Sequence, residues 1–211
     1  MPAVERASPG DLIERCIEIP VCLIALIFFG PVMLLVALLI KLQDGGPILF
    51  GHTRIGLGGR SFKCLKFRSM VVDAETRLQA LLQSDPEARV EWERDHKLRL
   101  DPRVTGLGDF LRRSSLDELP QLFNVLRGEM SLVGPRPIVQ SERARYGHYF
   151  NLYCQVRPGI TGLWQVSGRS DVSYRRRVAL DVAYARARNL GLYCRILAAT
   201  APAVLARRGA H

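Results

Sequence analysis

An aspartate and a glutamate stand side by side at Asp117-Glu118, within the stretch LRRSSLDELPQLFNVLRGEMSLVGPRP at residues 111–137. Helix capping is one interpretation of this pair. Ser115-x-x-Glu118 has the spacing of a capping box, and Asp117 is itself a suitable N-cap. Pro120 would then lie in the first turn, where its missing backbone donor costs nothing. Taken alone, the fragment favours capping.

Chemistry is the second interpretation of the two carboxylates. Neighbouring residues of a helix point about 100° apart, so the two groups cannot share one capping task. Separate roles are natural, with one carboxylate facing an electrophile and the other a metal ion. A helix N-terminus attracts phosphate, and carboxylates there would repel it unless a cation intervenes. The pair therefore predicts Mg²⁺, which oxygen ligands hold.

Three arginines lie in loops that proline or glycine constrains. They are Arg136 in GPRP, Arg157 in VRPGITG and Arg169 in SGRS. The planar guanidinium suits bidentate contacts with phosphate, and a rigid loop lowers the entropy lost in holding it. A basic solvated face explains any one of these arginines. Together with the carboxylate pair, however, they indicate a phosphoryl-transfer site.

The composition narrows the class of partner. Among 211 residues, 30 Lys and Arg against 20 Asp and Glu give a net charge of +10, which indicates an anionic partner. Nucleic acid is not expected, because aromatic residues are few and do not interleave with the basic ones. The five cysteines and four histidines form neither CxxC nor HExxH, so neither a disulfide framework nor a zinc site is expected.

An apolar segment near the N-terminus predicts membrane insertion. Residues 19–40 carry no charge and would span roughly 33 Å as a helix, enough to cross a bilayer core. Pro31 lies near the middle and predicts a kink. The segment is then either a bent spanning helix or a re-entrant hairpin that returns to the same face. Basic residues flank it on both sides, so charge alone does not decide between these alternatives.

Patterns elsewhere place the remaining elements. Strands near 48–51 and 62–67 predict a hairpin, with the GLGG at 56–59 as its turn and not a phosphate loop. Residues 71–98 predict a solvated helical pair broken at Ser84-Asp85-Pro86. The stretch 178–208 is amphipathic and rich in arginine. Such helices either pack on a core or lie in a membrane interface, and the apolar N-terminal segment favours the interface.

The ordered motifs KCLKFRSM, RRSSLDELPQLFNVLRGEMSLVGPRP and VRPGITGLWQVSGR, behind a proline-broken apolar segment, resemble the bacterial sugar transferase family. These are monotopic polyprenyl-phosphate phosphoglycosyl transferases. The resemblance implies an α+β, mostly helical fold with three parts. They are a re-entrant membrane helix at 11–42, a cytoplasmic catalytic domain with a small β-hairpin and catalytic helices at 43–178, and interfacial amphipathic helices at 179–208. The family usually has serine before the membrane proline, where this chain has Gly30.

The resemblance also implies the activity. The family moves a sugar-1-phosphate, here most similar to a galactose- or glucose-1-phosphate transferase, from a UDP-sugar to undecaprenyl phosphate. UMP is released and O-antigen, exopolysaccharide or capsule assembly begins. The expected place is the inner, cytoplasmic membrane of a bacterium, with the catalytic domain on the cytoplasmic face. Longer relatives carry a further N-terminal membrane region, so the chain resembles the minimal catalytic form.

Residue roles follow from the same resemblance. Asp117 would attack the β-phosphorus as nucleophile and form a phosphosugar-aspartate, while Glu118 would help to hold Mg²⁺. The phosphate-handling arginines match Arg112, Arg136 and Arg169, to which the constrained loop adds Arg157 as a further candidate. The basic residue before the catalytic segment matches Lys66 or Lys63.

Two other functions compete with this one. An ordinary nucleotide-sugar glycosyltransferase would show Asp-x-Asp, and the sequence contains no such triplet. A membrane-anchored basic protein that binds anionic lipid without catalysis is the alternative function. The sequence does not reveal the sugar, the glycan pathway or the oligomeric state, a homodimer included.

Overall fold

A computed structural model describes residues 9–95, 98, 100–167 and 173–205. Contacts between residues divide the chain into two compact units, each built from separate stretches of sequence. The larger unit comprises Met1–Pro31, Gly51–Leu65 and Pro120–His211. The smaller unit comprises Val32–Phe50 and Lys66–Leu119. The three-part division into membrane, catalytic and interfacial regions stays a prediction.

Helices dominate the described chain. They are α1 (Pro9–Asp44), α2 (Ala74–Ser84), α3 (Pro86–Asp95), α4 (Gly106–Ser114), α5 (Gln121–Leu126), α6 (Arg143–Tyr146), α7 (Phe150–Tyr153), α8 (Leu163–Val166), α9 (Tyr174–Ala187) and α10 (Leu190–Leu205). The strands are β1 (Leu49–Ile55), β2 (Ser61–Phe67), β3 (Ser131–Val133) and β4 (Gly159–Thr161). β1 pairs with β2, and β3 pairs with β4. The predicted α+β, mostly helical class is confirmed.

Helix α1 has the length and composition needed to cross a membrane. Its 36 residues would extend about 54 Å at 1.5 Å per residue. Large apolar side chains point away from the protein along it, among them Ile24, Ile27, Phe28 and Leu34. The helix continues through Pro31 without interruption. Whether this proline makes the segment re-entrant stays a prediction.

Buried and partly buried charges bind the first half of α1 to the rest of the larger unit. Glu18 is fully buried and accepts hydrogen bonds from the Ser131 hydroxyl, from the Leu132 N–H at 3.1 Å and from the Tyr193 hydroxyl at 3.3 Å. Arg188 forms ion pairs at 2.5 Å with Asp11 and Glu14. Because each of these charges has a partner, the helix can carry them in a buried position.

The predicted hairpin and helical pair are both present. Between β1 and β2, Leu57–Gly59 forms a 3-10 turn in which Gly58 and Gly59 adopt positive φ angles of +64° and +73°. Glycine accepts this conformation without steric cost, which explains why the turn is rich in it. The helical pair breaks at Asp85, whose carboxylate accepts hydrogen bonds from the N–H groups of Glu87 and Ala88 at the start of α3.

A short parallel strand pair was not predicted from the sequence. β3 pairs with β4 through Ser131 opposite Gly159 and Val133 opposite Thr161. The chains then approach closely, since a Cβ built on Gly134 would lie 2.3 Å from the carbonyl oxygen of Arg157. The sequence predicts a constrained loop for VRPGITG, whereas its residues Gly159–Thr161 form a three-residue strand. The pair fixes the GPRP loop that follows β3.

The C-terminal helices pack on the core of the larger unit. Val178 and Val182 of α9 are buried in one apolar cluster with Ile55 and Ile138. Tyr193 and Ile196 of α10 lie in a second cluster, together with residues of α5 and β3. The described buried side chains of this stretch therefore pack on the core. Leu190 of α10 is 43% exposed, and the interfacial placement of the stretch stays a prediction.

Candidate active site

Helix α4 leads into the carboxylate pair. Thr105 caps this helix, accepting a hydrogen bond from the Gly108 N–H at 2.9 Å. Gly108 also lies against the backbone of Ser69, where a Cβ would come within 1.9 Å of the carbonyl oxygen. The helix ends at Ser115, which adopts a left-handed conformation with φ of 58°. These contacts fix the direction in which the chain leaves α4.

The carboxylates themselves lie on a single 3-10 turn, Leu116–Glu118. Among the described residues, no side chain caps this turn or the following helix α5. Pro120 precedes α5, whose first residue is Gln121. The capping prediction for Ser115, Asp117 and Glu118 is therefore wrong, and the pair lies within a 3-10 turn shortly before α5. The left-handed Ser115 redirects the chain, so both carboxylates are free of a capping role.

Lys66 joins the two carboxylates. Its Nζ lies 2.6 Å from Glu118 Oε1 and 3.5 Å from Asp117 Oδ2. The Asp117 side chain is only 8% exposed, whereas that of Glu118 is 40% exposed. Burial raises the pKa of Asp117, and the Glu118 charge raises it further. The positive charges of Lys66 and Arg112 oppose this shift, so the dyad combines a buried oxygen with a nearby cation.

The donor set suits a magnesium ion that a substrate helps to bind. Among the side chains that the structure describes, no three or more of His, Cys, Asp and Glu come together as a closed metal cage. Mg²⁺ usually needs only one or two carboxylates, with substrate phosphates and waters completing its shell. Asp117 and Glu118 supply that number. The Lys66 ammonium beside both shows that the place favours a cation.

Arg112 is the predicted arginine that belongs to the same unit as the dyad. Its Nε donates a hydrogen bond of 2.9 Å to the Ser69 hydroxyl, and its side chain is exposed. Thus Lys66, Arg112, Asp117 and Glu118 lie together in the smaller unit. Two cations and two carboxylates can bind a phosphorylated group and present a nucleophilic oxygen to it.

The other predicted residues that the structure describes belong to the larger unit. Lys63 Nζ donates to the Thr53 hydroxyl at 2.8 Å. Arg136 is exposed after β3, with its guanidinium 5.8 Å from the ring centre of Trp164. Arg157 is 12% exposed, and its Nη1 lies 4.0 Å from Glu18 without a hydrogen-bond partner among the described residues. Arg169 lies outside the described residues.

Two charged residues near Arg136 were missed. Arg54, in β1, forms an ion pair of 3.7 Å with Glu142, and burial together with the charge of Arg136 lowers its pKa. Asp181, in α9, is 3% exposed and accepts a 2.7 Å hydrogen bond from the Tyr146 hydroxyl. Neither lies in a motif, and a charged residue inside a strand or helix usually faces solvent. No sequence signal distinguished them.

Comparison with known proteins gives these residues a family context. Residues 10–207 match the family described as bacterial sugar transferase. The chain is 48% identical over 202 residues to the exopolysaccharide production protein ExoY of Sinorhizobium fredii. That alignment covers 96% of this chain and 89% of that protein. It is 49% identical over 199 residues to the undecaprenyl-phosphate galactose phosphotransferase of Salmonella typhimurium. That alignment covers 94% of this chain and 42% of that protein.

A third relative is the UDP-galactose-lipid carrier transferase of Erwinia amylovora. The two chains are 54% identical over 169 residues, which is 80% of this chain and 35% of that protein. The chain therefore spans most of the Sinorhizobium protein but less than half the length of the Salmonella and Erwinia relatives.

Proposed function

The chain belongs to the bacterial sugar transferase family, and from this premise we propose that it transfers a hexose-1-phosphate from a UDP-sugar to undecaprenyl phosphate. The names of the Salmonella and Erwinia relatives support the lipid carrier and the UDP-linked donor. The product would begin assembly of an exopolysaccharide, capsule or O-antigen. The observation that carries the proposal is the buried Asp117 beside the Lys66–Glu118 pair.

Asp117 is the proposed nucleophile for the first half of the reaction. A carboxylate oxygen of Asp117 forms a bond to the β-phosphorus of the donor, and the bond from that phosphorus to the bridging oxygen breaks. The electron pair leaves with UMP, and the sugar-phosphate becomes esterified to Asp117. Burial on a 3-10 turn supports this role, because a poorly solvated carboxylate has little hydration to lose when it attacks phosphorus.

Lys66, Arg112 and Glu118 serve the phosphoryl group. Lys66 favours the charged form of the Asp117 carboxylate and so opposes the rise in pKa that burial causes. Arg112, oriented by Ser69, is placed to contact donor phosphate oxygens. Glu118 would hold Mg²⁺ together with those oxygens. The ion, when bound, neutralises charge on the transferred phosphoryl group.

The second half of the reaction returns the enzyme to its starting state. An oxygen of undecaprenyl phosphate forms a bond to the same phosphorus, and the bond to Asp117 breaks. The carboxylate is regenerated, and the sugar leaves as a diphosphate-linked lipid. One difficult transfer between two bulky phosphates is thereby divided into two in-line displacements, which predicts ping-pong kinetics.

The exposed apolar surface of α1 supports a place in the bacterial inner membrane. An apolar carrier can be reached only from the lipid phase, and α1 would hold the enzyme there. We further propose that the chain re-enters the cytoplasmic face at Pro31. Pro31 cannot donate to the carbonyl oxygen of Ile27, which weakens the helix at that point.

Release of UMP tests the proposal. Detergent-purified protein, a UDP-hexose, Mg²⁺ and undecaprenyl phosphate should yield UMP, and Asp117→Asn should reduce its release to background. Asp109→Asn is a matched control, because this exposed carboxylate pairs with Arg113 on the outer side of α4. Full activity in Asp117→Asn would remove this residue as the nucleophile. Absence of UMP from the wild type would favour the non-catalytic lipid-binding alternative.

A further inference from the structure

Arg68 is a buried charge to which the proposed chemistry assigns no role. It directly follows strand β2 and comes two residues after Lys66 in the motif KCLKFRSM. Its side chain is only 7% exposed. Proteins seldom bury an arginine so fully, and they do so when another group pairs with it. The identity of that partner shows what Arg68 holds in place.

The partner of Arg68 is the carboxylate of Asp44, at the end of helix α1. Arg68 binds both carboxylate oxygens, with Nη1 2.9 Å from Oδ2 and Nη2 paired with Oδ1. Nη2 also donates to the Ile40 carbonyl oxygen at 3.5 Å, one turn earlier in α1. Gly46 covers the guanidinium closely, since a Cβ built on it would lie 2.5 Å from Arg68 Nη1. These contacts fix the guanidinium to the C-terminal end of α1 in one orientation.

The backbone around Arg68 is held on both sides. The Arg68 N–H donates to the Ile48 carbonyl oxygen at 2.9 Å, which attaches it to the chain that follows α1. The next residue, Ser69, accepts at its carbonyl oxygen from the Thr105 N–H at 3.2 Å, at the start of α4. The segment after β2 therefore connects the end of α1 with α4, and all three lie in the smaller unit.

The same segment places Lys66 beside the carboxylates that follow α4. Lys66 Nζ lies 2.6 Å from Glu118 Oε1 and 3.5 Å from Asp117 Oδ2. Both distances depend on where the segment lies relative to α4. A displacement of about 1 Å would lengthen the Glu118 contact beyond hydrogen-bonding distance. The ion pair between Arg68 and Asp44 opposes such a displacement, because it ties the segment to α1.

Stability alone does not account for this ion pair. Among the described residues, the buried Arg68 Nε has no hydrogen-bond partner, and an unpaired buried donor costs free energy. Apolar side chains of similar volume often stabilise a protein as well as a buried ion pair does. What the pair adds is a defined geometry, since the planar guanidinium meets both carboxylate oxygens in one arrangement.

We propose that Arg68 is a positioning residue for the transfer reaction, which acts through Lys66 by holding the segment after β2 to the end of α1. The inference rests on the proposed function, in which Lys66 acts beside Asp117. It extends that function to the second half of α1, because Asp44 belongs to the same unit as the dyad. This part of the helix would then support catalysis as well as anchor the enzyme.

A double-mutant cycle tests the inference. UMP release is measured in single turnovers, with full-length enzyme in detergent and in excess over a UDP-hexose, so that slow variants are resolved. Arg68→Lys keeps the charge but loses the bidentate contact, and should slow release about 10-fold. In the Lys66→Met background the same change should slow release less than about 2-fold, because the residue through which Arg68 acts is gone. Equal slowing in both backgrounds would indicate a merely structural role and overturn the inference, as would no slowing in either.

Acetylation of Lys66 gives a readout that does not depend on catalysis. Asp44→Asn removes the charge that pairs with Arg68, and it replaces Arg68→Lys in the cycle if that variant fails to fold. A lysine beside two carboxylates reacts slowly with acetic anhydride, because only its neutral form attacks. Peptide mass spectrometry should therefore show Lys66 acetylated about 5-fold faster in Asp44→Asn. Asp73→Asn breaks a matched but exposed pair with Arg77 at the start of α2 and should leave this rate unchanged.

The two experiments separate this inference from the proposed function. Unchanged acetylation of Lys66 in Asp44→Asn, in a protein that thermal unfolding shows to be folded, would overturn the inference whether or not the enzyme releases UMP. Failure of the wild type to release UMP would instead contradict the proposed function. Faster acetylation would in that case still support the link from Arg68 to Lys66.

Discussion

The buried carboxyl of Asp181 predicts an unusual dependence of stability on pH. Burial raises its pKa from the usual 3.8 to about 7, although the Tyr146 hydroxyl, Arg136 and Arg177 all favour the charged form. In the unfolded chain the same group loses its proton near pH 4. Between about pH 4 and pH 7, therefore, the folded protein binds the extra proton. The free energy of unfolding must fall as pH rises through this range.

The size of the effect follows from the pKa difference. A difference of about 3 pKa units corresponds to roughly 4 kcal/mol, at 1.36 kcal/mol per unit. Asp181 is 3% exposed, so solvent screens little of this free energy. For a protein of this length, 1 kcal/mol changes the melting temperature by about 2–4 °C. The titration of Asp181 should thus contribute on the order of 10 °C.

Asp181→Asn removes the titration and preserves the shape of the side chain. Its amide oxygen can still accept from the Tyr146 hydroxyl. The melting temperatures of both proteins are measured in detergent at pH 5 and pH 8. The difference, variant minus wild type, should be roughly 10 °C greater at pH 8 than at pH 5. Glu75→Gln, an exposed change on α2, should show no such difference. Equal differences for Asp181→Asn at both pH values would refute the raised pKa.

Two further predictions concern the dyad and the strand pair. Lys66→Met leaves Asp117 and Glu118 without their shared cation, so UMP release should fall about 100-fold. Lys66→Arg should recover part of this activity. Equal activity in Lys66→Met and the wild type would exclude a catalytic role for the ammonium. Gly134→Ala places a Cβ 2.3 Å from the Arg157 carbonyl oxygen, so it should lower the free energy of unfolding by about 3 kcal/mol or prevent folding. In the control Gly106→Ala the added Cβ meets no atom within 4 Å, and the melting temperature should not change. Similar melting temperatures for both alanine variants would contradict the close approach of β3 and β4.

Local patterns predicted the elements whose stability is local. The long apolar segment became α1, and the break at Pro86 separated α2 from α3. The glycine-rich turn of the hairpin also formed where its residues favour positive φ. In each case the conformation follows from proline, glycine or sustained hydropathy within a few residues, so no distant contact was needed to predict it.

Tertiary contacts determine the features that local sequence patterns did not predict. The capping pattern at Ser115 and Glu118 was overridden because α4 lies against Ser69 and ends in a left-handed residue. Strand β3 exists only because β4, separated from it in sequence, lies beside it. Apolar side chains of α9 and α10 could contact lipid or protein, and only the fold shows which of them pack on the core.

The residues of the candidate site also differ in whether a local motif or a distant neighbour indicates them. Asp117, Glu118 and Lys66 lie in distinctive motifs, and their proximity agrees with what the motifs indicated. Arg54 and Asp181 are isolated charges in regular elements, and their importance depends on neighbours distant in sequence. The motifs alone point to the carboxylate pair, whereas the surroundings of Arg54 and Asp181 require coordinates.

Mass spectrometry of trapped enzyme tests the central proposal most directly. Protein incubated with a UDP-hexose and Mg²⁺, without undecaprenyl phosphate, should carry one hexose-phosphate ester, and peptide mapping should place it on Asp117. Addition of undecaprenyl phosphate should remove this adduct and yield the lipid-linked sugar. An enzyme that releases UMP in the complete reaction but never carries the adduct would contradict the covalent mechanism and indicate direct transfer between the two phosphates.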